Sequence, residues 1–298
     1  KRAKNYKKWM KNGDKRMWKV TSDLNNREGA TDMDALIDEN GVIRTDTEGK
    51  KKILWKNGIK LFQTVRKCEN VGNFKPFQPQ FKVNPALAAY MSLSEVFDAI
   101  DNSKCGKSGG PDDGITAEVY KSLRNYIAPA LLNIYNAVLK TKKVPPAWRR
   151  GLVINIHKKG PKLDIDNYRG IMLLSIVGKM FNWILAKRIT KYCNDFKILN
   201  DRQDGYLPER GTSGHIFCFS ETITEMMNKD KNPYAFYLDL SKAFDCIDRK
   251  NIYKNLRKAG IPRKLVNIIA DMHKKTVARY RIDGTTTKEI ETIQGVPQ

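Results

Sequence analysis

Two consecutive prolines, Pro145 and Pro146 in KVPPAW, divide this chain more firmly than any other local feature. Neither offers a backbone N–H, and each forces its predecessor out of the helical region, so no helix or interior strand can run through them. Before them the text is helical. SLSE at Ser92–Glu95 forms a capping box, followed by Val96, Phe97 and Ile100 on one face. Apolar periodicity predicts further helices over 117–123 and 129–140. After the prolines, strand and helix signals intermix. GLVINIH predicts a strand over 152–156, and Asn167–Ser175 leads into a helix over 176–192. A second helix is predicted over 212–228 and a strand over 234–240. Asp248 and Gly260 bound a helix over 249–258, and another follows Pro262. VARYRIDGTTTKEIETI alternates across Asp283-Gly284, a hairpin signal. There is no regular βαβ rhythm, so the fold class expected is α+β.

The stretch upstream is harder to read. Residues 21–85 are polar and rich in Gly, Asn and Asp, with a turn at Asp38–Gly41 and a short helix near 50–65. That reads as a linker rather than a compact domain. Residues 1–85 are expected to be poorly ordered without further chain. The first twenty residues mix Lys and Arg with Tyr6, Trp9 and Trp18. They read equally well as a nucleic-acid arm or as a solvated helix with aromatic anchors.

Charge narrows the partners. Of 298 residues, 55 are Lys or Arg and 32 Asp or Glu, a formal net charge of +23. That excess favours a polyanion, nucleic acid or an anionic membrane surface. Apolar runs such as Ile171–Leu174 are far too short to span a bilayer. Cys68, Cys105, Cys193, Cys218 and Cys246 form no C-x-x-C pair, which argues against a zinc knuckle or disulfide scaffold. They read as ordinary buried thiols in a reducing cytosolic or nuclear setting. G-K-S in KCGKSGGPDDGIT lacks the spacing of a phosphate loop, and no strand precedes it.

FYLDLSKAFD, Phe236–Asp245, carries the chemistry. Asp239 ends a strand-like apolar run, a rigid mount for one metal ligand, and the Leu240 carbonyl offers a second oxygen. The bland alternative is that Asp239 only terminates the strand or caps the next helix. Two divalent cations about 4 Å apart need several shared carboxylates, so one aspartate is not enough.

The ordered series VPPAWRRGLVINIHKKG, DNYRGIMLLSIVGKMF, ILNDRQDGYLPERGT, AFYLDLSKAFDCIDRKNIYKNL and GVPQ resembles the reverse transcriptases of non-LTR (LINE-type) retrotransposons. NYRGI, LLS and KAFD together look closest to the RTE-like branch. The resemblance covers 92–298 well and 18–65 more weakly. It implies a right-hand polymerase: a basic helical connector over 1–85, a helical extension over 86–144, fingers over 145–233 and the first part of the palm over 234–298. It implies an RNA-directed DNA polymerase using Mg²⁺, with Mn²⁺ as an alternative, and acting on an RNA template, a DNA primer and dNTPs. It implies no membrane partner, and leaves the oligomeric state open.

The resemblance also assigns roles. Asp239 would be the first metal-binding aspartate, and Phe244 the aromatic gate that refuses a ribose 2′-OH, or else a core aromatic. Asp245 and Asp248 are expected to cap the following helix rather than bind metal. Lys158 and Arg169 would contact the triphosphate; surface charge or template phosphate is the alternative, and Lys159 lies in the same motif. Gln203 and Gly205 would lie near the template, and Gln298 would support the incoming nucleotide. Three departures matter. Tyr206-Leu207 stands where many relatives have Phe-Arg, Gly170 replaces a common Pro, and GPDDG carries one Asp more than usual. The Tyr-x-Asp-Asp strand-turn-strand of the family does not occur in the 298 residues. The chain is therefore expected to be a fragment that does not polymerise by itself. The alternatives are a non-catalytic basic RNA- or DNA-binding remnant and a group II intron maturase-like polymerase.

Overall fold

The computed structural model describes residues 33–63, 81–200, 202–208, 210–240 and 242–296. The expectations for Tyr6, Trp9, Trp18, Cys68 and Gln298 lie outside the described residues. Elements alternate as the α+β reading requires. A small hairpin, β1 (Leu36–Ile37) and β2 (Ile43–Arg44), turns through Asp38–Gly41, where Gly41 takes φ +78°. Helix α1 (Thr47–Gln63) follows, then α2 (Leu93–Asp101), α3 (Ala117–Ser122) and α4 (Arg124–Thr141). After the prolines come β3 (Arg150–His157), β4 (Tyr168–Leu173), α5 (Ile176–Asp195) and α6 (Thr212–Asn228). The described chain closes with α7 (Arg249–Lys258), α8 (Arg263–His273), β5 (Thr276–Ile282), β6 (Thr285–Thr286) and β7 (Ile290–Thr292).

The main sheet is mixed, in the order β4-β3-β5-β6, with β7 also on β5. β3 runs antiparallel to β4, with Asn155 opposite Gly170, and parallel to β5, with Val153 opposite Tyr280. Two cores flank it. One lies among α2, α4, α5 and α8, with Tyr135, Phe181, Leu139, Ile184 and Leu265 fully enclosed. The Pro145-Pro146 turn is pinned to this core from both sides. Trp148 meets Tyr135 and Phe181 at ring separations of 6.0 and 5.3 Å. The buried Asp271 carboxylate accepts from the Val144 N–H at 2.8 Å. The Ser92–Glu95 capping box is present as read, with Ser92 accepting from the Glu95 N–H.

The second core joins distant parts of the chain: Met33, Leu36, Leu54 and Phe62 pack on Val153, Met172, Ala278, Tyr280, Ile282 and Ile290. Residues 33–63, expected to be linker, are thus docked on the sheet. Lys50, buried, reaches Asp283 at 2.8 Å and the Met33 carbonyl at 2.9 Å. A linker-like composition misled here because a few apolar residues at helical spacing suffice once a sheet supplies their partners.

Other expectations need correction. The helix predicted from Pro129 begins at Arg124 and carries Pro129 inside it. The proline removes one backbone bond near the helix start, where Ala128 is enclosed and Arg124 pairs with Asp101 at 2.9 Å. The strand predicted over 234–240 is irregular and exposed, Tyr234 at 96% and Leu238 at 79%. Apolar alternation supplies a face but no hydrogen-bonding neighbour, and no described strand pairs with this run. The cysteines are not uniformly buried either: Cys193 is, whereas Cys105 and Cys218 are exposed. Among the described residues, no helix is long and apolar enough to cross a membrane.

Candidate active site

One cleft of about 940 Å³ lies against the β3–β4 face of the sheet. Its floor is set by strand register: Val153 and Asn155 of β3 face the same way as Met172 and Gly170 of β4. Gly170 keeps that floor open. A Cβ there would press on Val153 Cγ1 at 2.9 Å and lie 3.5 Å from Asn155 Oδ1. The Asn155 side-chain NH₂ is buried without a hydrogen-bond partner.

The walls come from several segments, α1 and residues 292–296 among them. Lys158 and Arg169, at the ends of β3 and β4, bring cations to one side. Asp239, Leu240, Phe244 and Asp245 also line the cleft, and Tyr206 adds an aromatic edge. Five predicted site residues, Lys158, Arg169, Asp239, Leu240 and Phe244, therefore share one cleft. Gln203 and Gly205 do not line it, although they sit on the turn carrying Tyr206. The Tyr206 and Phe244 rings meet edge-on at 5.6 Å. Lys159 is exposed and lies outside the cleft.

Charge is unevenly satisfied. Asp239, Lys158 and Arg169 make no side-chain hydrogen bond or ion pair among the described residues. Burial raises the Asp245 carboxyl above its ordinary range, and the nearby Lys242, Lys158 and Arg169 only partly offset this. Asp248 caps α7 through the Lys250 N–H, as expected. Asp245 does not share that role: its side chain lines the cleft, because the turn from Lys242 to Cys246 directs it inward.

Sequence reasoning missed Asn155, Lys242 and Arg249 on the cleft wall. Lys242 pairs loosely with Asp166 at 3.5 Å, and the Arg249 guanidinium binds backbone carbonyls. In sequence, each reads as an ordinary polar side chain facing solvent. The additional aspartate of GPDDG also finds a use. Asp113 accepts from the Ile115 N–H within its own turn, while Asp112 reaches out to Arg279 at 2.6 Å.

Cations without a side-chain partner, an aromatic pair and a carboxylate thus line the same cleft. Among the described residues, no three His, Cys, Asp or Glu side chains converge to hold a metal ion. Those residues alone do not fit a two-metal centre.

Residues 156–298 match the family described as reverse transcriptase (RNA-dependent DNA polymerase). The chain is 28% identical over 70% of its length to the Pol polyprotein of the type-2 retrotransposable element R2DM of Drosophila melanogaster, covering 20% of that protein. It is 26% identical over 61% of its length to the probable RNA-directed DNA polymerase from transposon BS of the same fly, again covering 20%. Similarity to the probable polymerase from transposon X-element, 24% identical, spans 95% of the chain and 31% of that protein. The chain thus spans about a fifth of the length of the first two relatives. Residues 156–298 are thus similar to reverse transcriptases, and the chain as a whole to polymerases of retrotransposable elements.

Proposed function

We propose that this chain is the fingers and early palm of an RNA-directed DNA polymerase from a non-LTR retrotransposon of the RTE-like branch. It would copy a primed RNA template into DNA from dNTPs, in the nucleus or cytoplasm. One observation carries the reading: residues from three separated segments, Lys158, Arg169 and Asp239 with Phe244, line a single cleft.

In this reading Lys158 and Arg169 neutralise the incoming triphosphate, the guanidinium gripping two oxygens at once. Phe244 closes the space beside C2′ of the sugar, so that a deoxyribose fits and a ribose collides. Tyr206 braces that ring. Gln203 and Gly205 contact the template strand beside it, and Gln298 the incoming base. Asp239 and the Leu240 carbonyl are candidate Mg²⁺ or Mn²⁺ ligands, to be completed by carboxylates other than those described.

The test is made in the complete polypeptide. Asp239→Ala is expected to abolish primer extension on an RNA template while leaving RNA affinity nearly unchanged. Retained extension would remove Asp239 from the reaction.

A further inference from the structure

Arg249 is the first residue of α7, where it reads as one more surface cation. Its guanidinium turns inward to the back of the cleft and uses all five of its donors. Nε donates to the Gly295 carbonyl at 2.7 Å, and Nη1 to the carbonyls of His273 and Thr292, both at 2.8 Å. Nη2 donates to the Thr292 hydroxyl at 2.9 Å and to the Gln294 carbonyl at 3.1 Å. No carboxylate pairs with it among the described residues, and burial pushes its pKa down. A half-buried cation held by four carbonyls and one hydroxyl, all neutral, is costly, so its geometry must repay the desolvation. A rigid five-donor fork is the one side chain that can tie so many acceptors together.

What it ties is a strap, residues 291–296, running beneath the KAFD turn. On one side the Ile293 N–H donates to the Phe62 carbonyl, and Gln294 Nε2 to the Leu61 carbonyl. On the other, the Gly295 N–H donates to the Ile247 carbonyl and the Val296 N–H to the Phe244 carbonyl, both at 2.9 Å. The contact is close: a Cβ on Gly295 would fall 2.6 Å from the Asp245 carbonyl oxygen, which explains a glycine there, at φ +72°. Phe244 is thus supported twice, through its ring by Tyr206 and through its backbone by the strap.

We propose that Arg249 is a positioning residue for nucleotide selection, locking the strap under Phe244 and so fixing the height of that ring in the cleft. The proposal rests on the reading of Phe244 as the group that refuses ribonucleotides, and Arg249 itself touches no substrate. Without the lock, five acceptors lose their partner, the turn gains freedom, and the ring no longer presents a rigid wall to a 2′-hydroxyl.

Two measurements test this. In the 298-residue chain, Arg249→Met should speed amide hydrogen exchange at Gly295 and Val296 by ~10-fold or more, leaving α4 protected. Unchanged exchange at those two amides overturns the lock. Should Arg249→Met lose protection throughout, Thr292→Val, which removes one acceptor, should give a smaller acceleration confined to the strap. In the complete polypeptide, the ratio of kcat/KM for dNTP over rNTP should fall about tenfold in Arg249→Met. Arg249→Lys, with fewer donors, should give an intermediate ratio, and Phe244→Ala should abolish the preference. A merely structural role would lower both rates together and leave the ratio fixed, which refutes the proposal. If Phe244→Ala keeps full discrimination, the gate reading fails and the selection role falls with it. If Phe244→Ala relaxes selection and Arg249→Met does not, the role of Arg249 alone is refuted.

Discussion

At the scale of single residues, His273 shows how burial writes a pH dependence into the molecule. Its Nδ1 lies 2.9 Å from the Tyr253 hydroxyl and the two rings stack at 5.9 Å. Burial, with the Arg249 charge beside it, lowers its pKa to about 4 from the ordinary 6.5. The folded protein therefore resists a proton that the unfolded chain takes up. Stability should fall as pH drops from about 6.5 towards about 4, by about 3 kcal/mol in all, and then level off as far as this group is concerned. Urea midpoints measured across that window should lose the slope in His273→Phe. Glu95 acts at lower pH. Burial pushes its carboxyl up, but the Arg188 guanidinium and the Ser92 N–H outweigh this, so it ends below its ordinary value. Gly58 makes a different kind of demand. A Cβ there would meet Ile290 Cδ1 at 2.5 Å and Tyr280 Cε2 at 2.7 Å, where α1 crosses the sheet. Gly58→Ala should cost ~1–3 kcal/mol in denaturant unfolding, despite the better helix propensity of alanine.

At the scale of elements, two apolar segments of similar appearance in sequence meet opposite fates. Leu54 of α1 is wholly enclosed, whereas Leu238 is 79% exposed. Leu54→Ala should cost ~2–5 kcal/mol of unfolding free energy. Leu238→Ser in the 298-residue chain should stay within about 0.5 kcal/mol. The contrast marks what sequence could reveal. Elements with local signals were legible: the Ser92 box, the Asp248 cap of α7, the bounds of α6, and the hairpin at Asp283-Gly284. Those depending on distant partners were not. The run over 234–240 has a strand pattern without a neighbour to pair with, and α1 looked like linker because Ile290 and Tyr280 lie far along the chain. The cleft divides in the same way. Lys158, Arg169, Asp239, Leu240 and Phe244 stood out through motif wording. Asn155 and Arg249 depend on register and on the path of a strap, which no spacing in the sequence encodes.

At the scale of the whole molecule, the +23 charge sets the expected response to salt. If ~6–10 phosphates are contacted, RNA affinity should fall 10³–10⁵-fold between 50 and 200 mM salt, linearly on a double-logarithmic plot. A flat plot from filter binding or fluorescence anisotropy would contradict a charge-driven interface. The pairing of β3 with β5 has a consequence for how the molecule is made. Arg150 lies beside Val277, so the centre of the sheet cannot close during synthesis until almost the entire described chain has left the ribosome. The helices α2 to α5 can gather early, as their core is drawn largely from neighbouring segments. The packing of α1 on β5 and β7 must wait. Through that interval the newborn chain carries an open strand edge, and its yield in a cell should depend more on chaperones than its final stability suggests.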